Sequence, residues 1–281
     1  MSNIPKPVSD PSFTAVIPTY NRIQQLPRAL ASISAQTCPG GAHTIVVDDG
    51  STDGSGAFVS RQFPNVQLLG QPNRGVSAAR NAGIAAAQTD WIAFIDSDDE
   101  WLPHKLQVQF DALKAHPEYR IVHSEEIWIR NGRQVKVPRI YQKKGGWIFR
   151  ECLPVCAISP SSVIIHREVF DSVGFFDESL PACEDYDLWL RLSPVFPVLL
   201  CPEPLIRKYG GHADQLSNQP GLDQYRIRAL QKALQNGDLA PHYRSAATRT
   251  LKKKCAIYAA GARKRGRLAA AESFEALAAS L

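Results

Sequence analysis

Three carboxylates fall within four residues at Asp96-Ser97-Asp98-Asp99. Packed that closely they repel one another, and a hard divalent cation that takes oxygen ligands, Mg²⁺ or Mn²⁺, removes the cost. Such an ion sits on one or two carboxylates and completes its shell with substrate phosphates. The plainer alternative is a turn whose acidic side chains point to water. Asp48-Asp49 and Glu184-Asp185 are two further acidic pairs. The ring of Tyr20 can present a flat face to a base, Asp49 can accept from a base N–H, and Asp96 can accept from a ribose hydroxyl. Taken singly, packing explains Tyr20 as well, and capping of the next turn explains Asp48 as well. Together with a metal they describe a site for a nucleoside diphosphate. The chain has no G-x-x-x-x-G-K-[ST] loop and no G-x-G-x-x-G after its first apolar run. That excludes a P-loop enzyme and argues against a dinucleotide-binding fold.

Residues so far apart need elements that bring them together. Residues 13–18 (FTAVIP) form a short apolar run bounded by turn residues, as a buried strand does. Ile23, Leu26, Leu30 and Ile33 predict a helix over 21–36 with Asn21 as its N-cap. Strands at 44–47, 66–69 and 91–95 alternate with helices at 52–63 and 75–87. Thr52 or Asp53 caps the first of these helices, and the second has a face of small residues that can lie close on a sheet. This alternation predicts a mostly parallel sheet with helices on both faces. Ligands of such sheets bind outside the carboxyl ends of the strands, where Thr19, Tyr20, Asn21, Asp48, Asp49, Asp96, Asp98 and Asp99 collect. The later pattern predicts a helix over 103–116 with Pro103 in its first turn. Strands follow at 121–129 and 161–165, then helices at 167–173 and 183–192, the last with an acidic start, then strands at 195–200 and 205–209. Trp189 reads as core, and His104 and His116 as residues of a surface helix.

With 281 residues, 44% of them hydrophobic and 21% charged, the composition is globular. It argues against a disordered, collagen-like or disulfide-stapled chain. A chain of this size can bury roughly three quarters of its unfolded surface in one core. No apolar run reaches the ~18 residues of a membrane span. Residues 1–12, with three prolines and no apolar core, read as a flexible lead-in and not as a signal peptide. Cys38, Cys152, Cys156, Cys183, Cys201 and Cys255 show no C-x-x-C pair and no zinc spacing, so reduced thiols in a cytoplasmic protein are expected. The net charge is +5, yet residues 241–281 alone carry +7, nine Lys or Arg against Glu272 and Glu275, which leaves −2 for the body. A nucleic-acid binder would spread positive charge over its folded surface, so no nucleic-acid partner is expected. The basic segment is rich in Ala and Leu and is expected to be helical. It offers a peripheral contact with anionic lipid at the inner face of a membrane, or a homodimer contact. A solvated helix face is the favoured reading, because the segment lacks the strong Trp/Phe/Leu face of an interfacial helix.

The stretches VIPTYNR (16–22), VVDDGSTDGS (46–55), NRGVSAARNAG (73–83) and FIDSDDEWLP (94–103) resemble, in order and spacing, the successive motifs of glycosyltransferase family 2. The acidic helix start near Glu184 extends the resemblance through most of the body. It implies an α/β fold of the GT-A type, a nucleotide-binding fold whose mostly parallel central sheet is flanked by helices. The glycosyltransferase domain would span 13–240, with 13–105 as the nucleotide-binding half and 106–240 as the acceptor-side half, and the helical segment 241–281 would follow. The resemblance further implies an inverting transfer from a nucleoside-diphosphate sugar, a UDP-sugar first among them, to a saccharide or lipid-linked saccharide, assisted by Mn²⁺ or Mg²⁺. By the same resemblance Pro18, Thr19, Tyr20, Asp49 and Asp96 hold the nucleotide, and Asp98 is the direct metal ligand. Arg80 lies near the uracil or the diphosphate, or instead pairs with Asp49 or Asp96. Arg22, Asp48 and Ser97, in the same turns, are counted with the nucleotide-binding set.

A single displacement at an anomeric carbon needs one general base for the attacking hydroxyl. A metal on the departing diphosphate makes a general acid less necessary. Glu184-Asp185 resembles the E-D motif of the family, which makes Asp185 the expected base, with Glu184 binding the acceptor or positioning the helix. Helix capping by both is the plainer reading, and Asp187 is expected to be structural. His212, in GGHADQLS (210–217), is expected near the diphosphate or metal, and reads equally well as a loop His; the paired glycines permit a close backbone approach. Asp99, Trp101 and Trp147 are acceptor-side or sugar-side candidates, with helix-start packing as the alternative for Trp101. Gly145-Gly146 would be the hinge of a mobile loop that carries Trp147. Other functions are weaker. A non-catalytic nucleotide-sugar-binding protein would not need Glu184-Asp185. A sugar-nucleotide nucleotidylyltransferase would have a Gly-rich basic loop after the first strand. A phosphohydrolase would have Asp where Thr19 stands.

Overall fold

The structure, a computed structural model, describes residues 13–211 and 221–281. The lead-in at 1–12, and His212 with the rest of 212–220, lie outside the described residues. Strands β1 (Phe13–Thr19), β2 (Ala42–Asp48), β3 (Gln67–Gly70) and β4 (Trp91–Phe94) are parallel, in the order β3-β2-β1-β4. Helices α1 (Leu26–Ser34), α2 (Ser55–Gln62) and α3 (Val76–Ala86) connect them. The central β1 is buried along its whole length, which fits its unbroken apolar run. Its alternate side chains feed two cores. Val16 joins Ile45, Val47, Ile92 and Phe94 beneath Ala79 and Ile84 of α3. Ala15 and Ile17 join Val46 and Ala93 beneath Leu26, Ala29 and Leu30 of α1. A Cβ at Gly83 would collide with Val16, so the small-residue face of α3 is what lets that helix lie against β1.

The rest of the sheet is mixed. β4 pairs antiparallel with β8 (Ile164–His166), and β8 pairs antiparallel with β6 (Ile121–Arg130). β6 runs parallel to β9 (Leu199–Gly210), which pairs antiparallel with β5 (Glu100–Trp101). A hairpin strand, β7 (Arg133–Val135), closes on β6. The two reversals between β4 and β6 make β6 run the same way as β1, β2 and β4, so its C-terminal end opens on the same edge of the sheet. Helices α4 (Lys105–Ala115), α5 (Phe149–Cys152), α6 (Arg167–Val173) and α7 (Glu184–Leu192) flank this half; α8 (Leu222–Gln235), α9 (Pro241–Lys264) and α10 (Leu268–Ala279) complete the chain. Ala247, Leu251, Cys255 and Ala262 of α9 share a core with Val16 and Trp189, while Arg249, Lys252 and Lys253 face outward. All six cysteines are free thiols. No helix among the described residues is long and apolar enough to cross a membrane.

Several local expectations are corrected. α1 begins at Leu26 because Asn21 takes left-handed backbone (φ +52°) and its side-chain oxygen accepts the Thr52 N–H at 2.8 Å. α4 begins at Lys105, beyond Pro103. Ser161 and Ser162 lie in a 3₁₀ turn opened by Pro160, ahead of β8. The strands expected at 195–200 and 205–209 give way to one strand, β9. Pro202 and Pro204 carry no N–H for the ladder, and the register slips there, from Ser124 opposite Cys201 to Glu125 opposite Pro204.

Candidate active site

A cleft of ≈ 910 Å³ opens at the carboxyl edge of the strands. Pro18, Thr19, Tyr20 and Arg22 line it after β1, Asp49 after β2, and Asp96, Ser97, Asp98 and Asp99 after β4. Arg80 on α3 and Glu184 and Asp185 at the head of α7 complete this side. On this side alone, acidic residues from three stretches of sequence face one space. Two of the three non-glycine residues with positive φ among those described, Asn21 and Cys183, also line it. Backbone strain of this kind collects where surrounding structure over-determines a site.

Each carboxylate is held differently. Asp49 is buried; it accepts the backbone N–H of Arg74 at 2.9 Å and of Gly75 at 2.8 Å, and Nε2 of Gln71 at 2.6 Å. It thereby shapes the turn that leads into α3. Asp96 accepts Nη2 of Arg80 at 2.7 Å, while its own N–H donates to Ser161 Oγ at 3.0 Å. That Ser161 hydroxyl donates in turn to Asp99 at 2.5 Å, and the Tyr209 N–H donates to the other Asp99 oxygen at 2.9 Å. Burial, then the nearby charges of Asp98 and Asp96, push the Asp99 carboxyl well above its ordinary range. Asp99 is therefore a buried anchor between β4 and β9.

Arg80 is buried and forks between two acids, reaching Glu184 Oε1 at 2.6 Å as well as Asp96. Burial opposes its charge, but Asp96, Glu184 and Asp185 outweigh it and raise its pKa. Burial pushes Glu184 up, Arg80 pulls it back, and Asp185 adds to the rise. The Asp185 carboxylate accepts the Tyr186 N–H at 2.6 Å on one oxygen and the Cys156 thiol at 2.8 Å on the other. Burial, then the Asp185 charge, hold the Cys156 thiol well above its usual pKa, so it stays a donor.

Other expected site residues stand elsewhere. Asp48 does not line the cleft; its carboxylate accepts the Ser51 N–H at 2.9 Å and caps the turn. Trp101 is buried, its indole N–H donates to the Ser161 carbonyl at 2.8 Å, and the Lys105 ammonium lies 4.3 Å from the ring centre. It packs beneath the acidic turn and leaves no face for a sugar. Trp147 is 58% exposed and lies outside the cleft. The expected hinge before it is pinned: Gly146 exchanges both backbone hydrogen bonds with Val198, at 2.7 and 2.9 Å. Asp187 is buried and bonded to Arg191 at 2.9 Å and Lys232 at 2.8 Å, an ion-pair cluster behind α7. Tyr20 stands half exposed at the cleft.

The far wall was not anticipated. Glu126, Trp128 and Arg130 on β6, with Tyr141, Lys143 and Lys208, line the same cleft. Lys143 Nζ lies 3.3 Å from Glu126 Oε2 and donates to Ser159 Oγ at 3.2 Å; Lys208 Nζ reaches the same hydroxyl at 3.1 Å. Burial pushes Glu126 up, but Lys143 and Lys208 overcome it and hold it down at about 2. The signal for this wall was the two-residue period of β6, which turns Glu126, Trp128 and Arg130 to one face.

The family model described as "Glycosyl transferase family 2" matches residues 14–174. The chain is 25% identical over 243 residues to an uncharacterized glycosyltransferase of Haemophilus influenzae, covering 82% of each. It is 28% identical over 211 residues to the amylovoran biosynthesis glycosyltransferase AmsB of Erwinia amylovora, covering 70% of this chain and 69% of that one. Some relatives are longer: the match spans 52% of a glycosyltransferase from Nostoc and 31% of one from Rickettsia conorii. Among solved structures the chain is similar to S. aureus TarS 1-349 in complex with UDP-GlcNAc, with a TM-score of 0.70 at 19% identity over 91% of this chain and 74% of that one. It is also similar to the mannosyltransferase PcManGT from Pyrobaculum calidifontis in complex with GDP-Man and Mn²⁺, with a TM-score of 0.62 at 20% identity over 98% and 77%. The shared fold is of the GT-A type.

Proposed function

The chain belongs to glycosyltransferase family 2, and from its cleft we propose that it moves a glycosyl group from a nucleoside-diphosphate sugar, a UDP-sugar first among them, to a hydroxyl of a saccharide or lipid-linked saccharide with inversion. The observation that carries this reading is the Arg80 fork. One buried guanidinium ties Asp96, at the nucleotide end, to Glu184, the neighbour of the base. Relatives and fold neighbours support the coarser part: one is named for amylovoran biosynthesis, and others are solved with UDP-GlcNAc or with GDP-Man and Mn²⁺.

In this reading Pro18, Thr19 and Tyr20 receive the nucleoside, with the Tyr20 ring against the base and Asp96 near the ribose. Asp49 shapes the base end through its bonds to Arg74 and Gly75. Asp98, with Asp96 beside it, would hold Mn²⁺ or Mg²⁺. The donors fit such an ion because they are oxygens only, and three carboxylates stand within four residues. Among the described residues no group of three His, Cys, Asp or Glu could ligate a metal unaided. An ion on one or two of these carboxylates would complete its shell with phosphate oxygens. Bound there, the cation would offset the charge that grows on the departing diphosphate.

Asp185 takes the proton of the acceptor hydroxyl as the new C–O bond forms and the bond to the diphosphate breaks, and a single displacement inverts the carbon. The Cys156 thiol steadies one oxygen of that base. Glu184, tied to Arg80, fixes the first turn of α7. The outward basic residues of α9, Arg249, Lys252 and Lys253, are read as a solvated helix face, since no apolar interfacial face accompanies them. Thermal unfolding in the presence of UDP-, GDP- and dTDP-sugars with Mn²⁺ tests the donor. A true donor raises the melting temperature by ligand linkage, and no rise with any of them contradicts the proposal.

A further inference from the structure

We infer that Trp128 and Tyr141 form the acceptor subsite, an aromatic corner that takes one pyranose ring of a saccharide acceptor. This rests on the glycosyl transfer proposed above and assigns the acceptor to residues of the cleft.

The position follows from topology. β6 runs the same way as β1 and β4, and its last residues reach the edge where the nucleotide-side residues sit. The sheet order puts β8 between β4 and β6, so the β6 wall lies to one side of the acidic turn at 96–99. The wall is joined to the base: Lys143 Nζ donates to the Ala157 carbonyl at 3.1 Å, and the adjacent Cys156 thiol bonds Asp185. An acceptor hydroxyl that reaches Asp185 therefore has this wall nearby.

The chemistry follows from the side chains. The Trp128 and Tyr141 rings lie 5.2 Å apart and are tilted by 52°, which makes a corner and not a stack. Both are half-buried and line the cleft. The indole N–H donates to Glu126 Oε1 at 2.6 Å, and Glu126 is itself fixed beside Lys143. The Arg130 guanidinium sits 4.9 Å from the Trp128 ring centre, and its Nη1 donates to the Ile129 carbonyl at 3.0 Å. The indole is thus locked before any ligand arrives, the condition for a precise site. Aromatic rings give broad apolar area at low entropy cost, which matches the C–H faces of a sugar ring, and the charged groups around them match its hydroxyls. Neither Trp101 nor Trp147 offers this: the first is buried and the second lies outside the cleft.

The test is saturation-transfer NMR of the methyl glycosides of glucose, galactose, mannose and N-acetylglucosamine against the full chain, with and without UDP and Mn²⁺. Wild type, Trp128→Ala, Trp128→Phe and Tyr141→Ala are compared, and UDP binding is followed by calorimetry. At least one glycoside is expected to bind wild type. Trp128→Ala weakens that binding about tenfold, Trp128→Phe stays within about threefold, and UDP affinity is the same in all. If Trp128→Ala does not fold, Tyr141→Ala gives the same comparison. Glycoside binding that is unchanged in the alanine variants, or absent from wild type, overturns the assignment. Absence of UDP binding contradicts the donor reading instead, and the glycoside comparison without UDP still decides the acceptor site.

Discussion

Arg80 Nη1 lies 2.6 Å from Glu184 Oε1 although 104 residues separate them. Both side chains are buried, and the same guanidinium also holds Asp96. One arginine therefore sets the spacing between the acidic turn after β4 and the head of α7.

Arg80→Ala leaves Glu184 buried beside Asp185 with no cation. Breaking a buried pair from one side costs about 3–5 kcal/mol. Urea denaturation should show a loss of that size; a loss under about 1 kcal/mol would mean that the fork carries little of the fold.

Asp98→Asn should remove the metal-dependent part of UDP binding while the fold is kept. Calorimetry with Mn²⁺ and with chelator measures it. Wild type should bind UDP at least tenfold more tightly with Mn²⁺, and the variant should show no such gain. Equal gains in both proteins would remove Asp98 from the metal site.

Lys105 is fully buried under Trp101, and burial pulls its ammonium down to about 7, against a small opposing pull from Cys201. The unfolded chain keeps this proton up to its ordinary pKa of 10.5. Between about pH 7 and 10.5 the unfolded state binds more protons, so stability rises with pH across that window. Lys105→Met should flatten the rise, as read from denaturation midpoints at pH 7 and 9.5. An unchanged slope would show that the ammonium reaches water.

Gly83→Ala would normally help a helix by about 1 kcal/mol. Here the added Cβ meets Val16, so a net loss of about 1–3 kcal/mol is expected. With Val16→Ala the clash is relieved, so the double variant should lose less than the sum of the two single losses. Strict additivity would contradict the contact.

Much of this was legible in the residues. The β1–β4 alternation and the carboxylates at its strand ends follow from period and turn chemistry, which are local. The misreadings were non-local. Asn21 reads as a cap, but its side chain bonds Thr52, 31 residues away. Pro202 and Pro204 read as a break, whereas a register slip keeps β9 continuous. Trp101, next to the acidic turn, is drawn under it by the Ser161 carbonyl, which no spacing announces. No spacing in the chain announces that Lys143 pairs with Glu126 or that Lys143 and Lys208 share the Ser159 hydroxyl; the fold brings them together.

The central claim is that Asp185 is the base of a glycosyl transfer whose donor site stands apart from it. Turnover and donor affinity of Asp185→Asn, measured with the donor that raises the melting temperature, test it most directly. Turnover should fall by about 10²–10⁴ while donor affinity stays within about threefold. Turnover near the wild-type rate would contradict the account.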